Sequence, residues 1–159
     1  IGNHCSISKS TIGNHTIIYS TCIISESTIG PNNKIGPFSH IRPGTKLTQD
    51  VKIGSFVELK ASTISKGTKV HHFAYIGDAT IGEQVNWGAF SVTCNYDGIK
   101  KHHTQVENNC FVGSGCQLIA PIRVGKGAFL AAGSTYNQDI TPQSKMIARC
   151  RQQPLSSSK

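Results

Sequence analysis

Five side chains able to do acid–base and anion chemistry fall at related spacings: Arg42, Glu58, Lys60, His72 and Tyr75. Arg42 and Lys60 are 18 residues apart, Glu58 and Tyr75 are 17 apart, and Ser55 and His72 are also 17 apart. An imidazole near a carboxylate can be held in one tautomer and act as a general base near neutral pH. Two cations brought together repel unless an anion or a carboxylate lies between them, and a phosphate suits such a pair. The residue types therefore read as a base beside a phosphate cradle, provided that residues one period apart become spatial neighbours.

A six-residue repeat supplies that condition. An aliphatic residue opens each unit, usually followed by Gly, and a small residue stands four places later. The register runs through Ile12-Gly13, Ile29-Gly30, Ile35-Gly36, Ile53-Gly54, Ile76-Gly77, Ile81-Gly82, Val112-Gly113 and Val124-Gly125. This is the hexapeptide signature of a parallel β-helix: each unit is one short strand and one corner, and three units close a triangular coil that must stack on its neighbours to bury an interior. The units at Ile7–Thr11, Ile24–Thr28, Leu59–Thr63 and Ile76–Thr80 are one residue short, so coils begin near residues 7, 24, 41, 59 and 76 with a period of 17 or 18. Residues one period apart should lie roughly 4.8 Å apart. The five residues then gather about one edge of the prism.

The repeat stops after Thr93 and resumes at Val106, so the segment near 94–105 is expected to leave the prism as an external loop, with a turn at Asn95–Gly98. It fades again near Asp139. The reading is one β-helix domain over 1–140 with that loop, and a tail over 141–159 that frays from Gln152 onward. Hydrophobic residues make up 37% of the chain, which suits a thin apolar column, and the net charge is +8 with a pI near 9.3. A basic balance points to nucleic acid, a membrane surface or a phosphorylated small molecule. With no nucleic-acid motif and no apolar segment of membrane-spanning length, the last is favoured and a cytoplasmic protein is expected. Of the six cysteines, Cys5, Cys22, Cys110 and Cys116 occupy inward small positions and read as core fillers; no CxxC pair marks a zinc site. Ile1 stands in mid-repeat, as expected for a piece of a longer protein.

Several stretches together resemble a known family. They are Arg42-Pro43-Gly44, Gly54-Ser55-Phe56-Val57-Glu58-Leu59-Lys60, His72-Phe73-Ala74-Tyr75-Ile76-Gly77-Asp78-Ala79, Thr93-Cys94-Asn95-Tyr96-Asp97-Gly98 and Val112-Gly113-Ser114. They are similar to the C-terminal acetyltransferase domain of the bacterial bifunctional N-acetylglucosamine-1-phosphate uridylyltransferase/glucosamine-1-phosphate acetyltransferase. The resemblance implies an all-β, left-handed parallel β-helix and a homotrimer with active sites between subunits. It implies acetyl transfer from acetyl-CoA to the amine of glucosamine 1-phosphate, without a metal, toward UDP-N-acetylglucosamine and the cell envelope. His72 matches the family's general base and Glu58 its carboxylate neighbour. Arg42, Lys60, Tyr75 and Asn86 match the sugar-phosphate contacts, and Asn95 and Tyr96 match loop residues at the junction with acetyl-CoA. Ala89, Ser114, Ala132 and Arg149 match positions lining the acetyl-CoA site, with the Ala89 N–H a candidate donor to the developing oxyanion. His71, Trp87 and Phe90 depart from the family pattern, which has smaller residues at the first and third and an aliphatic at the second. The nucleotidyltransferase domain is absent from this chain.

Two other readings compete. One is a hexapeptide acetyltransferase for a different amino sugar, favoured by Trp87 and Phe90. The other is a non-catalytic trimerisation or scaffold solenoid, which gives no reason for Arg42, Glu58, Lys60, His72 and Tyr75 to converge.

Overall fold

The computed structural model describes residues 1–150, so the expected fraying from Gln152 onward lies outside the described residues. Among the described residues, all 21 strands are short except Lys52–Lys60 and Lys69–Gly77, which have 9 residues each and run continuously round one corner. Every ladder between named strands is parallel, and the chain winds into a left-handed β-helix of about 8 turns. Strand Lys145–Met146 pairs with Phe129–Leu130 and carries the ladder past residue 140.

The register reproduces the 17- and 18-residue ruler. Ile24 pairs with Ile41, Ile41 with Leu59 and Leu59 with Ile76. On another side Ile18, Ile35, Ile53 and Val70 form a column, followed by Trp87, Val112 and Leu130. All of these side chains are buried and form one continuous core. The column is narrow because hydroxyls and thiols fill the other inward positions and satisfy the backbone at the corners. Ser62 Oγ, for example, donates to Lys60 O (2.8 Å) and accepts from Ala79 N–H (3.1 Å). Cys22, Cys110 and Cys116 are buried among them, and burial pushes their thiols up; Cys5, in the first coil, is half-buried.

Trp87 enters the aliphatic column 2% exposed. Its Nε1 donates to Ser91 O (3.1 Å), and Ser91 Oγ in turn donates to Gly113 O (2.7 Å) and accepts from Cys116 N–H (2.9 Å). A polar tip that finds a carbonyl lets an indole occupy a core position. The corner just outside it, Gly88–Ser91, is thereby tied to the next coil.

The external loop connects strand Val92–Cys94 to strand Thr104–Val106. These two strands fall in different sheets, pairing with Gln117–Ile119 and Ile122–Val124 respectively. The loop is thus an insertion at one corner, and the ladder closes behind it with an offset of 25 residues between Trp87 and Val112.

Candidate active site

Two files of residues run up the corner that strand Lys69–Gly77 turns. His72 pairs with Ser55, and the registers Val70 to Trp87, Trp87 to Val112 and Val112 to Leu130 continue that file through Ala89, Ser114 and Ala132. The same arithmetic gives the neighbouring file as Phe38, Phe56, Phe73, Phe90, Gly115 and Gly133, with Arg149 next by the Leu130 to Met146 pairing. His72 therefore stands one rung from Ala89. Three expected acetyl-CoA positions share its file, and the fourth, Arg149, crowns the adjacent one.

The four phenylalanines stack face to face. Ring centroids are 5.3, 5.0 and 5.0 Å apart, with planes within 12° of parallel. Each sits at positive φ: 56°, 58°, 45° and 60°. That region is unfavourable for a bulky L-residue, by roughly 1–2 kcal/mol. The aromatic stack, worth about 0.5–1.5 kcal/mol per pair, offsets the strain and fixes the rings perpendicular to the coil axis. Above Phe90 the file changes character. Gly115 and Gly133 also have positive φ, at 70° and 67°. A Cβ built on Gly115 would meet nothing nearer than the Gly133 backbone at 3.7 Å, and one built on Gly133 nothing nearer than Arg149 Cδ at 4.0 Å. These glycines leave open space, and the corner there is a bare trough bounded by the Phe90 ring and the Arg149 side chain.

The face beyond the corner is charged. Tyr75 pairs with Glu58, and Lys60 is level with Gly77. Arg42 Nη1 donates to Glu58 Oε1 at 2.7 Å. The carboxylate expected to orient His72 is thus engaged by Arg42, and no hydrogen bond joins Glu58 to His72 among the described residues. The loop adds a third cation. Asp97 Oδ1 accepts from the N–H groups of Ile99 and Lys100 (2.8 Å each), His102 Nε2 lies 2.6 Å from Asp97 Oδ2, and Tyr96 bridges to Lys101. The Lys100 N–H, then His102 and the Ile99 N–H, hold the Asp97 carboxyl well below the usual carboxylate range. This clamp delivers Lys101 to Lys60. Contact with Lys101, and to a smaller extent the charge of Arg42, pushes the Lys60 ammonium below its ordinary value. The Asp78 carboxylate, held by Asn95 Nδ2, lies beside both lysines and offsets part of this crowding, and an anion with several acceptor oxygens would relieve the rest.

The remaining expected residues take distinct places. Asn95 is 7% exposed, and its Nδ2 donates to Asp78 Oδ2 and to Tyr75 Oη (3.4 Å), so it braces Tyr75 from beneath the loop. Tyr96 is exposed and donates its hydroxyl to Gly98 O at 2.6 Å. Asn86 lies on the face before the corner, in line with Lys69 and Phe111. His71 is adjacent to His72, their rings 5.7 Å apart and tilted. Burial, reinforced by His72, Lys52 and Lys69, pushes the His71 imidazole below its ordinary value. Lys101 was not among the expected site residues. Its signal in the sequence is the basic pair Lys100-Lys101 one residue after the Asp97-Gly98 turn, with a histidine five places from the aspartate.

Comparison with known proteins fits this architecture. The family model "Bacterial transferase hexapeptide (six repeats)" matches residues 26–61. The bifunctional protein GlmU of Baumannia cicadellinicola subsp. Homalodisca coagulata is 46% identical over 98% of this chain and 33% of the relative. GlmU of Geobacillus sp. (strain WCH70) is 49% identical over 96% of the chain and 33% of the relative. The chain thus carries a stretch of hexapeptide repeats and, over nearly its whole length, matches the C-terminal part of GlmU. It spans about a third of the length of the curated relatives it matches. Among solved structures, the polySia-specific acetyltransferase NeuO superposes with a TM-score of 0.57 at 13% identity, covering 99% of this chain and 89% of that one. LpxA from Acinetobacter baumannii gives 0.56 at 15% identity, covering 87% and 60%. Those two show a shared fold. Among the described residues, no helix is long and apolar enough to cross a membrane.

Proposed function

We propose that this chain transfers an acetyl group from acetyl-CoA to the amine of glucosamine 1-phosphate. The observation that carries the reading is the pairing of two half-sites across one corner. One is the His72–Ala89 file leading into the bare trough; the other is the Arg42, Lys60 and Lys101 cluster on the next face. His72 takes a proton as the sugar amine attacks the thioester carbonyl carbon. A C–N bond forms, the C–S bond breaks, and coenzyme A leaves as the thiol with that proton. The Ala89 N–H, fixed on a stiff corner, faces the carbonyl oxygen as it gains charge. Lys60, Lys101 and Arg42 hold the phosphate, Tyr75 is held by Asn95, and Asn86 contacts the sugar. Ser114, Ala132 and Arg149 border the acyl donor, the guanidinium meeting its phosphates.

The same geometry favours a site shared between copies. Lys60 is level with Gly77, five residues beyond His72 and past the corner at Phe73. Amine and phosphate sit on adjacent carbons of glucosamine 1-phosphate. Outward side chains on two faces of a prism splay apart, so one copy presents the base and its neighbour presents the cations. A homotrimer places each base-bearing corner against a neighbour's cationic face. The product, N-acetylglucosamine 1-phosphate, would feed UDP-N-acetylglucosamine and cell-envelope synthesis in the cytoplasm.

Thiol release from acetyl-CoA tests the reading. Turnover should depend on glucosamine 1-phosphate and fall steeply with glucosamine. Equal rates with and without the phosphate would remove the cradle from the mechanism, and no thiol release with any amino sugar would leave the scaffold reading.

A further inference from the structure

Phe90 stands where an apolar stack meets an empty corner. The rings of Phe38, Phe56 and Phe73 are each covered by the next one up, whereas Phe90 has only Phe73 against it. It is 65% exposed, the most open of the four. Its uncovered face looks along the file toward Gly115 and Gly133, where no side chain intervenes before Arg149. From the Phe90 rung to the Arg149 rung is three coil rises, roughly 14 Å. The trough thus has a flat apolar end, a side-chain-free middle and a cationic end. The stack below keeps the ring from rotating away, and the tether of Trp87 and Ser91 to the next coil holds the backbone on both sides of Ala89–Phe90.

We infer that Phe90 is the end-stop of the acyl pocket and sets the length of the acyl chain that the site accepts. This rests on the acyl-transfer reading. A donor laid along the trough has its phosphates at Arg149 and its thioester at Ala89, one residue from Phe90. The alkyl end of the acyl group then abuts the exposed ring face. An acetyl methyl fits against it; each further methylene must displace a ring backed by Phe73 and the stack beneath it, and a stack resists displacement more than a lone side chain does. Phe73 is the positioning residue of this device, because its ring stacks on the inner face of the Phe90 ring at 5.0 Å.

The test is the ratio of kcat/KM for propionyl-CoA to that for acetyl-CoA, with glucosamine 1-phosphate as acceptor. Phe90→Gly should raise the ratio about tenfold or more, the discrimination one methylene provides in an apolar pocket. The backbone there already has a φ of 60°, which glycine adopts freely. Phe90→Leu keeps an apolar side chain in place and should raise the ratio less; Phe73→Leu should raise it through a loosened ring. Phe38→Leu, at the far end of the stack, should keep the wild-type ratio. Acetyl transfer by Phe90→Gly with an unchanged ratio would overturn the end-stop and leave the function standing. A wild-type protein that consumes no acyl-CoA would overturn both.

Discussion

The two sides of the Phe73–Phe90 corner solve opposite problems with the same coil. On the trailing face, Lys60 and Lys101 meet near Arg42, with Glu58 engaging the arginine and Asp78 beside the lysines. On the leading side and above, side chains shrink to Ala89, Ser114, Ala132 and two open glycines. A β-helix places residues of successive coils at a fixed rise, so it makes an anion cradle by stacking like charges and a trough by leaving side chains out. Neither needs a strand to depart from the repeat. The difference also shows where the regular scaffold is insufficient. The trough is made by coils alone, whereas the proposed cradle draws Lys101 from the loop between Cys94 and Thr104.

The largest effect should come from the base. His72→Ala should lower kcat at least about a hundredfold while the oligomer survives in light scattering. His71→Ala, next to it on the leading face, should cost far less. Near wild-type turnover by the His72 variant would place proton transfer elsewhere and dissolve the contrast between the two sides.

The cations come next. Arg42→Ala, Lys60→Ala and Lys101→Ala should each raise KM for glucosamine 1-phosphate roughly ten- to a hundredfold, the loss of one charge-assisted contact, with KM for acetyl-CoA little changed. Arg149→Ala should show the opposite split. A variant of either group that moved both constants equally would show that the two sides are not separate.

A smaller effect sharpens the role of the loop. Asp97→Asn should raise KM for the sugar phosphate several-fold by releasing Lys101, with kcat affected less. The folded Asp97 carboxyl lies below its ordinary range, so its contribution is fully present above the ordinary carboxylate pKa and is lost only as pH falls through the lowered value. Between about pH 5 and 8 this carboxylate should therefore add no step to the KM profile. At the bottom of the scale, Ile99 is 90% exposed at the loop tip, and Ile99→Ala should change stability by less than about 0.5 kcal/mol.

The periodicity was legible because a solenoid writes spatial adjacency into sequence distance. Pairings such as Tyr75 with Glu58 and His72 with Ser55 follow from counting alone. Counting also places Arg42 over Lys60. It does not say on which side of a corner a residue emerges, so His72 and the cations read as one cluster when they flank a bend. Nor does it resolve partner choice. By register Glu58 pairs with His40 and Tyr75, and its carboxylate turns to the Arg42 guanidinium, which offers a charge-assisted hydrogen bond. Lys101 was hidden because the loop has no period; the Asp97–His102 clamp and the Tyr96–Lys101 bridge fix where it returns. The aromatic stack was hidden differently. Phe38, Phe56, Phe73 and Phe90 are spaced by the period, yet each is a corner residue at positive φ, where bulky side chains are not expected.

Mixing two impaired variants, assayed with glucosamine 1-phosphate well below the KM of the Lys60 variant, tests the shared site most directly. His72→Ala and Lys60→Ala chains, each purified and shown to be of the same oligomeric size as wild type, are unfolded together, refolded and assayed for thiol release with glucosamine 1-phosphate. If one copy gives the base and its neighbour the cations, mixed oligomers contain sites with both groups intact, and random assortment restores activity at roughly a quarter of the sites. Activity no higher than the average of the two variants alone would place base and cradle on one copy and contradict the account.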